Sequence, residues 1–245
     1  MRTRMYGGVR GRKTKVGGKP TFVFLLLDYL CISMAVKTIL YIHGMGGGAD
    51  SRIPSILRDA FESKDIAQVI CRTYDFDPEI AHEQIEAWIK EVKPDLVIGE
   101  SLGSLHALRI RNIPLMFVSP ALNTAFYFTL LSWLIWIPGL TRYFENKYRP
   151  KEGDRQPLRF VYDILKKYKK HGREALCSLN RNGQYIHAYF GTQDHYRKSA
   201  VVSVRRWKKL FGDSFTMYDG THFMENEMVE SIMIPDICSL LKIKK

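Results

Sequence analysis

The chain has 245 residues, enough for one α/β domain with a sizeable core, and 46% hydrophobic with 12% aromatic residues excludes a disordered or fibrous protein. The formal charge of +12 invites a nucleic-acid or membrane partner, but +6 of it sits in residues 1–33, where seven Arg and Lys face Asp28 alone; the remainder is ordinary for a basic enzyme. No zinc-type Cys spacing and no aromatic-basic RNA motif accompanies it, so nucleic acid is not an expected partner; Cys31, Cys71, Cys177 and Cys238 form no CxxC and read as free thiols of a reducing, cytoplasmic compartment.

Residues 1–35 are expected to be an N-terminal extension outside the fold. The first twenty are basic and glycine-rich, with nothing to pack. Residues 21–33 are apolar, but Asp28 interrupts them, leaving far less than the ~20 apolar residues of a spanning helix. Phe22–Leu27 is also short for a secretory signal, although Ser33-Met34-Ala35 offers a small-residue cleavage site; export or anchoring through this segment is the alternative. Met34 then opens MAVKTILYIHG, a natural start for a strand-first domain expected over 36–245.

Thr38–Ile42 is a short run of β-formers closed by His43-Gly44, and predicts a buried strand. Val69–Tyr74 predicts a second, weaker one. Asp77-Pro78 opens a helix as N-cap and first-turn proline; Ile80, Ile85, Trp88, Ile89 and Val92 give it one apolar face, and Pro94 stops it. Further strands are expected at Asp95–Ile98, Pro114–Val118, Tyr185–Phe190 and Phe215–Tyr218, with helices over 101–111, 197–211 and 223–241. This alternation predicts a mostly parallel sheet of about six strands flanked by helices. About 65 residues separate the strand ending at Val118 from the one starting at Tyr185. That is too long for a single crossover, and a helical lid insertion is expected over about 121–183.

Gly99-Glu100-Ser101-Leu102-Gly103 lies between a strand and a helix, the context a G-x-S-x-G turn requires. The turn is so tight that Gly99 and Gly103 must lack side chains, and it lifts the Ser101 hydroxyl to the positive end of the next helix. His43-Gly44-Met45-Gly46-Gly47-Gly48 follows the first strand. A glycine-rich turn there lets backbone N–H groups approach an oxyanion, the donors being Met45 and Leu102, with Gly44 supporting the loop. The other use of such a loop is to grip phosphate, but the Lys-Ser/Thr of a P-loop and the GxGxxG pattern are absent. Asp194 and His222 follow the fifth and sixth predicted strands, at the same sheet edge as the elbow. In the order Ser, Asp, His they suit nucleophile, orienting acid and base. Asp219 is a second candidate for the acid, and His195 for a role beside Asp194. His82 and His106 read as structural, and Glu100 as lining the site entrance. No His/Cys/Asp cluster suggests a metal.

These residues resemble the α/β-hydrolase superfamily, in particular its small bacterial esterase-like members that begin at the strand before the HG motif. The similarity covers roughly residues 36–120 and 185–240. It implies triad roles for Ser101, Asp194 and His222, oxyanion roles for Met45 and Leu102, and support of the oxyanion loop by His43. Ser104 departs from the pattern, where Gly or Ala is common. The insertion has no counterpart in the resemblance. Its stretch Ala125–Pro138 is apolar and reads as a lid helix over the site, with Phe126, Leu130 and Trp133 forming an acyl pocket, or as an apolar face for peripheral membrane contact. Lys166, Lys167, Lys169 and Lys170 ride an amphipathic helix with Val161, Ile164 and Leu165. The expected activity is metal- and cofactor-free hydrolysis of a small acyl substrate, a carboxylic ester or thioester. Acyl transfer or peptidase action on the same triad is one alternative, and a non-catalytic partner-docking protein is another.

Overall fold

A computed structural model of the chain describes residues 36–148, 152–177 and 183–243. The expectations for residues 1–35 lie outside the described residues. Six strands are present: β1 (Lys37–Ile42), β2 (Ala67–Cys71), β3 (Leu96–Glu100), β4 (Leu115–Val118), β5 (Ile186–Gly191) and β6 (Phe215–Tyr218). All neighbours pair in parallel, in the order β2-β1-β3-β4-β5-β6, so the expected sheet is present.

The helices between them are α1 (Arg52–Phe61), α2 (Pro78–Val92), α3 (Gly103–Ala107), α4 (Thr124–Leu134), α5 (Leu140–Lys147), α6 (Tyr162–Cys177) and α7 (Val204–Phe211). The chain closes with α8 (Asn226–Met228), a π turn over Val229–Met233 and α9 (Ile234–Leu241). The period-2 alternation of each strand sorts the core into two layers. Leu40, Ile42, Val97, Leu115 and Phe117 meet α2, α3, α6 and α7 on one face. Ile39, Tyr41, Ile98, Met116 and Val118 meet α1 and the C-terminal helices on the other.

Several elements differ from expectation; the strand expected at Val69–Tyr74 spans Ala67–Cys71, and the helix expected over 101–111 spans Gly103–Ala107. The helix α1 is additional, with Ser51 before it and Ile53, Leu57 and Phe61 on its buried face. The helix expected to begin at 197 starts only at Val204, where the Ser203 side chain accepts from Arg206 N–H at 3.2 Å. The chain before it is committed to the turn that carries Asp194. Within the insertion, α6 is a core element: Ile164, Leu165, Tyr168 and Ala175 recur at helical spacing and pack on the sheet layer. It lies against α4 at Gly172, where a Cβ would stand 2.4 Å from the Ala125 Cβ, so only glycine permits this approach.

A seam of buried imidazoles runs through this layer. His106 lies with its ring 4.5 Å from His171 and 4.9 Å from Tyr74, and Tyr74 stacks on His43 at 4.3 Å. Burial pushes His43 down to about 4 and His171 to about 3, and takes His106 well below its ordinary value. Above about pH 6.5 these rings are neutral in both folded and unfolded chains. Below it the unfolded chain binds protons that the folded chain refuses, so stability falls as pH drops from about 6.5. We expect a loss at pH 5 on the order of 2 kcal/mol per imidazole relative to pH 7. Urea unfolding at the two pH values checks this. His106→Leu should flatten the dependence, and an unchanged slope would show that His106 does not contribute to it.

Candidate active site

Connections after β1 and β3 depart to opposite faces of the sheet, since α1 packs on one layer and α3 on the other. The two strands are neighbours, so a crevice opens between their carboxyl ends. The glycine-rich loop after β1 and the turn after β3 meet there. Asp194 and His222 arrive at the same edge, after β5 and β6.

Ser101 has a φ of 47°, a conformation that residues with a side chain adopt only under constraint. The constraint is local. Ser101 N–H donates to the Val118 carbonyl at 2.9 Å, and Ala121 N–H donates to the Ser101 carbonyl at 3.1 Å. A Cβ on Gly99 would stand 2.9 Å from the Ala107 Cβ, and one on Gly103 would stand 2.3 Å from the Ile42 carbonyl oxygen. The sequence therefore has no choice but glycine at both positions. Ser104, the departure from the resemblance, is fully buried and donates its hydroxyl to the Gly99 carbonyl at 3.1 Å.

The Ser101 Oγ lies 2.9 Å from His222 Nε2, and His222 Nδ1 lies 2.8 Å from Asp194 Oδ2. The other Asp194 oxygen accepts from Tyr196 N–H at 2.8 Å. Burial pushes the Asp194 carboxyl up, but its bond and charge interaction with His222 and the bond from the Tyr196 N–H together hold it below its ordinary value. Asp194 is thus an anion well placed to orient an imidazole. Met45 and Leu102 bring their amides to the same crevice. Among the described residues neither N–H donates to a protein acceptor. The Gly44 carbonyl accepts from Gly47 N–H at 3.0 Å and lies 2.7 Å from His43 Nδ1, which therefore carries the proton. The Met45 N–H belongs to the same planar peptide and points the opposite way. His43 itself is held by stacking on Tyr74, whose hydroxyl donates to the His43 carbonyl at 2.7 Å.

No protein family matches the chain, and no curated protein does. Solved structures do. A monoacylglycerol lipase from Paleococcus ferrophilus shares 17% identity over 85% of this chain and 96% of its own, with a TM-score of 0.55. A carboxylesterase structure from the thaumarchaeon Nitrososphaera gargenis shares 12% identity over 85% and 92%, at 0.54. A thioesterase domain from the curacin biosynthetic pathway shares 14% over 84% and 91%, at 0.52. The chain has the α/β-hydrolase fold.

On this hydrolase fold the remaining candidates separate clearly. Asp219 is exposed and accepts from the Thr192 hydroxyl at 2.9 Å and the Gln193 amide at 3.0 Å, while the His222 nitrogens meet Asp194 and Ser101. His195 is exposed, and its ring lies 4.0 Å from that of Tyr196, tilted by 39°. His82 pairs with Glu86 on its own helix, and the Glu100 carboxylate accepts from the buried Tyr41 hydroxyl at 2.9 Å. Among the described residues no group of His, Cys, Asp and Glu could hold a metal ion.

The expected acyl pocket needs correction. Phe126, Leu130 and Trp133 are 65%, 50% and 69% exposed and form the outer face of α4. Its inner face is Thr124, Phe128 and Ser132. α4 packs on α6 with Ala125 against Gly172 and the Phe128 ring 4.8 Å from that of Tyr168, which leaves Phe126, Leu130 and Trp133 facing outward.

Several residues near the site escaped the sequence reading. The Tyr196 ring lies 4.6 Å from that of His222. The Arg52 guanidinium grips the loop after His222, bonding the carbonyls of Phe223 and Met224 and the Asn226 side chain. Gln156, fully buried, bonds the glycine-rich loop. None belongs to a motif or a periodic face; Gln156 lies in the insertion, where no spacing signals its partner.

Proposed function

We propose that the protein is a serine hydrolase that cleaves a carboxylic ester or thioester through an acyl-serine intermediate. The observation that carries this reading is the unbroken chain of bonds from Ser101 Oγ through His222 to Asp194. The Ser101 hydroxyl gives its proton to His222 Nε2 as Oγ attacks the carbonyl carbon. The resulting oxyanion meets the Met45 and Leu102 N–H groups, and Asp194 stabilises the imidazolium. His222 then protonates the departing alcohol or thiol. Water, giving a proton to His222, attacks the acyl-serine; the acid leaves, and Ser101 recovers its proton. Met45, Leu158 and Tyr196 are half-buried against the core beside these groups, and we assign them to contact with the acyl chain. The lipase, esterase and thioesterase named above support an ester-cleaving reading. The free thiols of Cys71, Cys177 and Cys238 suit a cytoplasmic protein. A fluorophosphonate probe tests the core of the proposal: one probe should attach per chain, on Ser101, and abolish hydrolysis of p-nitrophenyl esters. Labelling elsewhere, or hydrolysis that survives labelling, refutes it.

The outer face of α4 and the turn after it also support peripheral contact with an anionic lipid surface. Phe126, Leu130, Trp133, Trp136 and Ile137 are exposed together. The Trp136 ring lies 5.9 Å from Tyr162, over which Lys166 Nζ stands at 5.1 Å, so apolar and cationic groups share one side. No helix among the described residues is long and apolar enough to cross a membrane. Sedimentation with anionic vesicles should capture the protein, and Trp133→Ala with Trp136→Ala should reduce capture by about tenfold or more. Equal capture of wild type and double variant would remove the reading.

A further inference from the structure

The glycine-rich loop after β1 holds its two ends from within: Gly47 N–H donates to the Gly44 carbonyl at 3.0 Å, and the Ser51 hydroxyl accepts from Gly48 N–H and donates to the Gly48 carbonyl. The glycines between are otherwise free to rotate. There the loop is braced from outside by the segment 152–158, which returns from α5 towards α6. Gly48 pairs with Arg155 as an isolated antiparallel bridge, and a Cβ on Gly48 would stand 1.6 Å from the Asp154 carbonyl oxygen. The Thr73 hydroxyl ties the two together, accepting from Ala49 N–H and donating to the Asp154 carbonyl, both at 3.2 Å.

At the centre of this contact is Gln156. Its backbone N–H donates to the Gly47 carbonyl at 2.7 Å. Its side-chain Oε1 accepts from Gly46 N–H at 3.1 Å, and its Nε2 donates to the Asp75 carbonyl at 3.3 Å. A buried carboxamide is costly unless its donor and acceptor are met, and here each has a partner. Oε1 fixes the Met45–Gly46 peptide plane. Gly46, at a φ of 72°, then hands the chain to Gly47, whose carbonyl the Gln156 backbone also holds. His43 fixes the preceding plane, Gly44–Met45, through the Gly44 carbonyl. Met45 thus sits between two clamped peptides, and its N–H has one direction left.

We propose that Gln156 is a positioning residue for oxyanion stabilisation: it orients the Met45 N–H without touching substrate. The proposal rests on the serine-hydrolase reading. Gln156→Met keeps the side-chain volume and removes the acceptor. Gln156→Glu keeps the acceptor and removes the donor to Asp75. Loss of an oxyanion donor costs about 10²–10³ in kcat, and misorientation of one should cost about 10- to 100-fold. Gln156→Met should therefore lower kcat by that factor with KM within twofold, and weaken an alkyl boronic acid, whose serine adduct is a tetrahedral anion, in parallel. Binding of the neutral alcohol product should not change. Gln156→Glu should retain more kcat than Gln156→Met.

A merely structural role would instead lower the melting temperature while leaving folded-state kcat and boronate affinity intact, and that result overturns the proposal. A measurement on the wild type guards against variants that do not fold. The Gly46 amide should exchange with solvent at least tenfold more slowly than an unprotected glycine, and exchange at the free rate would show that the Gln156 bond is absent. If the wild type neither hydrolyses esters nor labels at Ser101, the serine-hydrolase reading fails, and the role of Gln156 falls with it. Active wild type with an unaffected Gln156→Met variant refutes this proposal alone.

Discussion

Replacing Ser101 by alanine is expected to lower kcat for p-nitrophenyl esters by about 10⁵- to 10⁶-fold, the scale of nucleophile loss where a triad acts as a unit. The fold should persist. Among the described residues the Ser101 hydroxyl bonds His222 Nε2 alone, so its removal forfeits about 1 kcal/mol, and alanine adopts the positive φ at similar cost to serine. The expected phenotype is therefore a folded, inert protein with a near-native unfolding midpoint that no longer accepts a fluorophosphonate. A variant retaining even a tenth of wild-type turnover would place the nucleophile elsewhere.

The second large effect concerns the acid. In Asp194→Asn the amide nitrogen can donate to His222 Nδ1, which favours the tautomer with its proton on Nε2. That nitrogen then faces the Ser101 hydroxyl with no lone pair to receive its proton. A loss of about 10⁴ in kcat is expected. Asp219→Asn is the matched control. Asp219 is exposed and bonds Thr192 and Gln193, while the imidazole nitrogens meet Asp194 and Ser101, so turnover should stay within twofold. Steady-state kinetics on both variants decides the matter, and comparable losses in the two would refute the assignment.

The sheet was legible because each strand is a short apolar run followed by a turn residue, a pattern that burial on both faces enforces. The meeting of Ser101, Asp194 and His222 was legible because each follows the carboxyl end of a strand in a parallel sheet, which brings all three to one edge. The helix α1 carried a signal that went unread: its buried residues Ile53, Leu57 and Phe61 recur every four positions, the spacing of one helical face, close behind a glycine-rich loop. The stretch Ala125–Pro138 carried no such spacing. It is apolar on every side, so periodicity could not say which side faces inward. The answer depends on α6, where Gly172 lies against Ala125, 47 residues earlier, and Tyr168 packs on Phe128, so that Phe128 and Ser132 face inward and Trp133 does not. Gln156 was illegible for a related reason: its meaning lies in Gly46, 110 residues earlier.

Those separations bear on how the molecule acquires activity. Ser101 and His222 are 121 positions apart, and Asp194 lies 28 before His222. The strands that carry them pair in parallel, so every ladder is closed by a crossover rather than a hairpin. Contacts of this kind form late and slowly, since loop-closure entropy must be met before any of them is rewarded. Partly folded chains of this protein would therefore lack the meeting of Ser101, Asp194 and His222, whatever helix they hold. Turnover would return only in the final kinetic phase of refolding, making the site a sensor of the completed sheet.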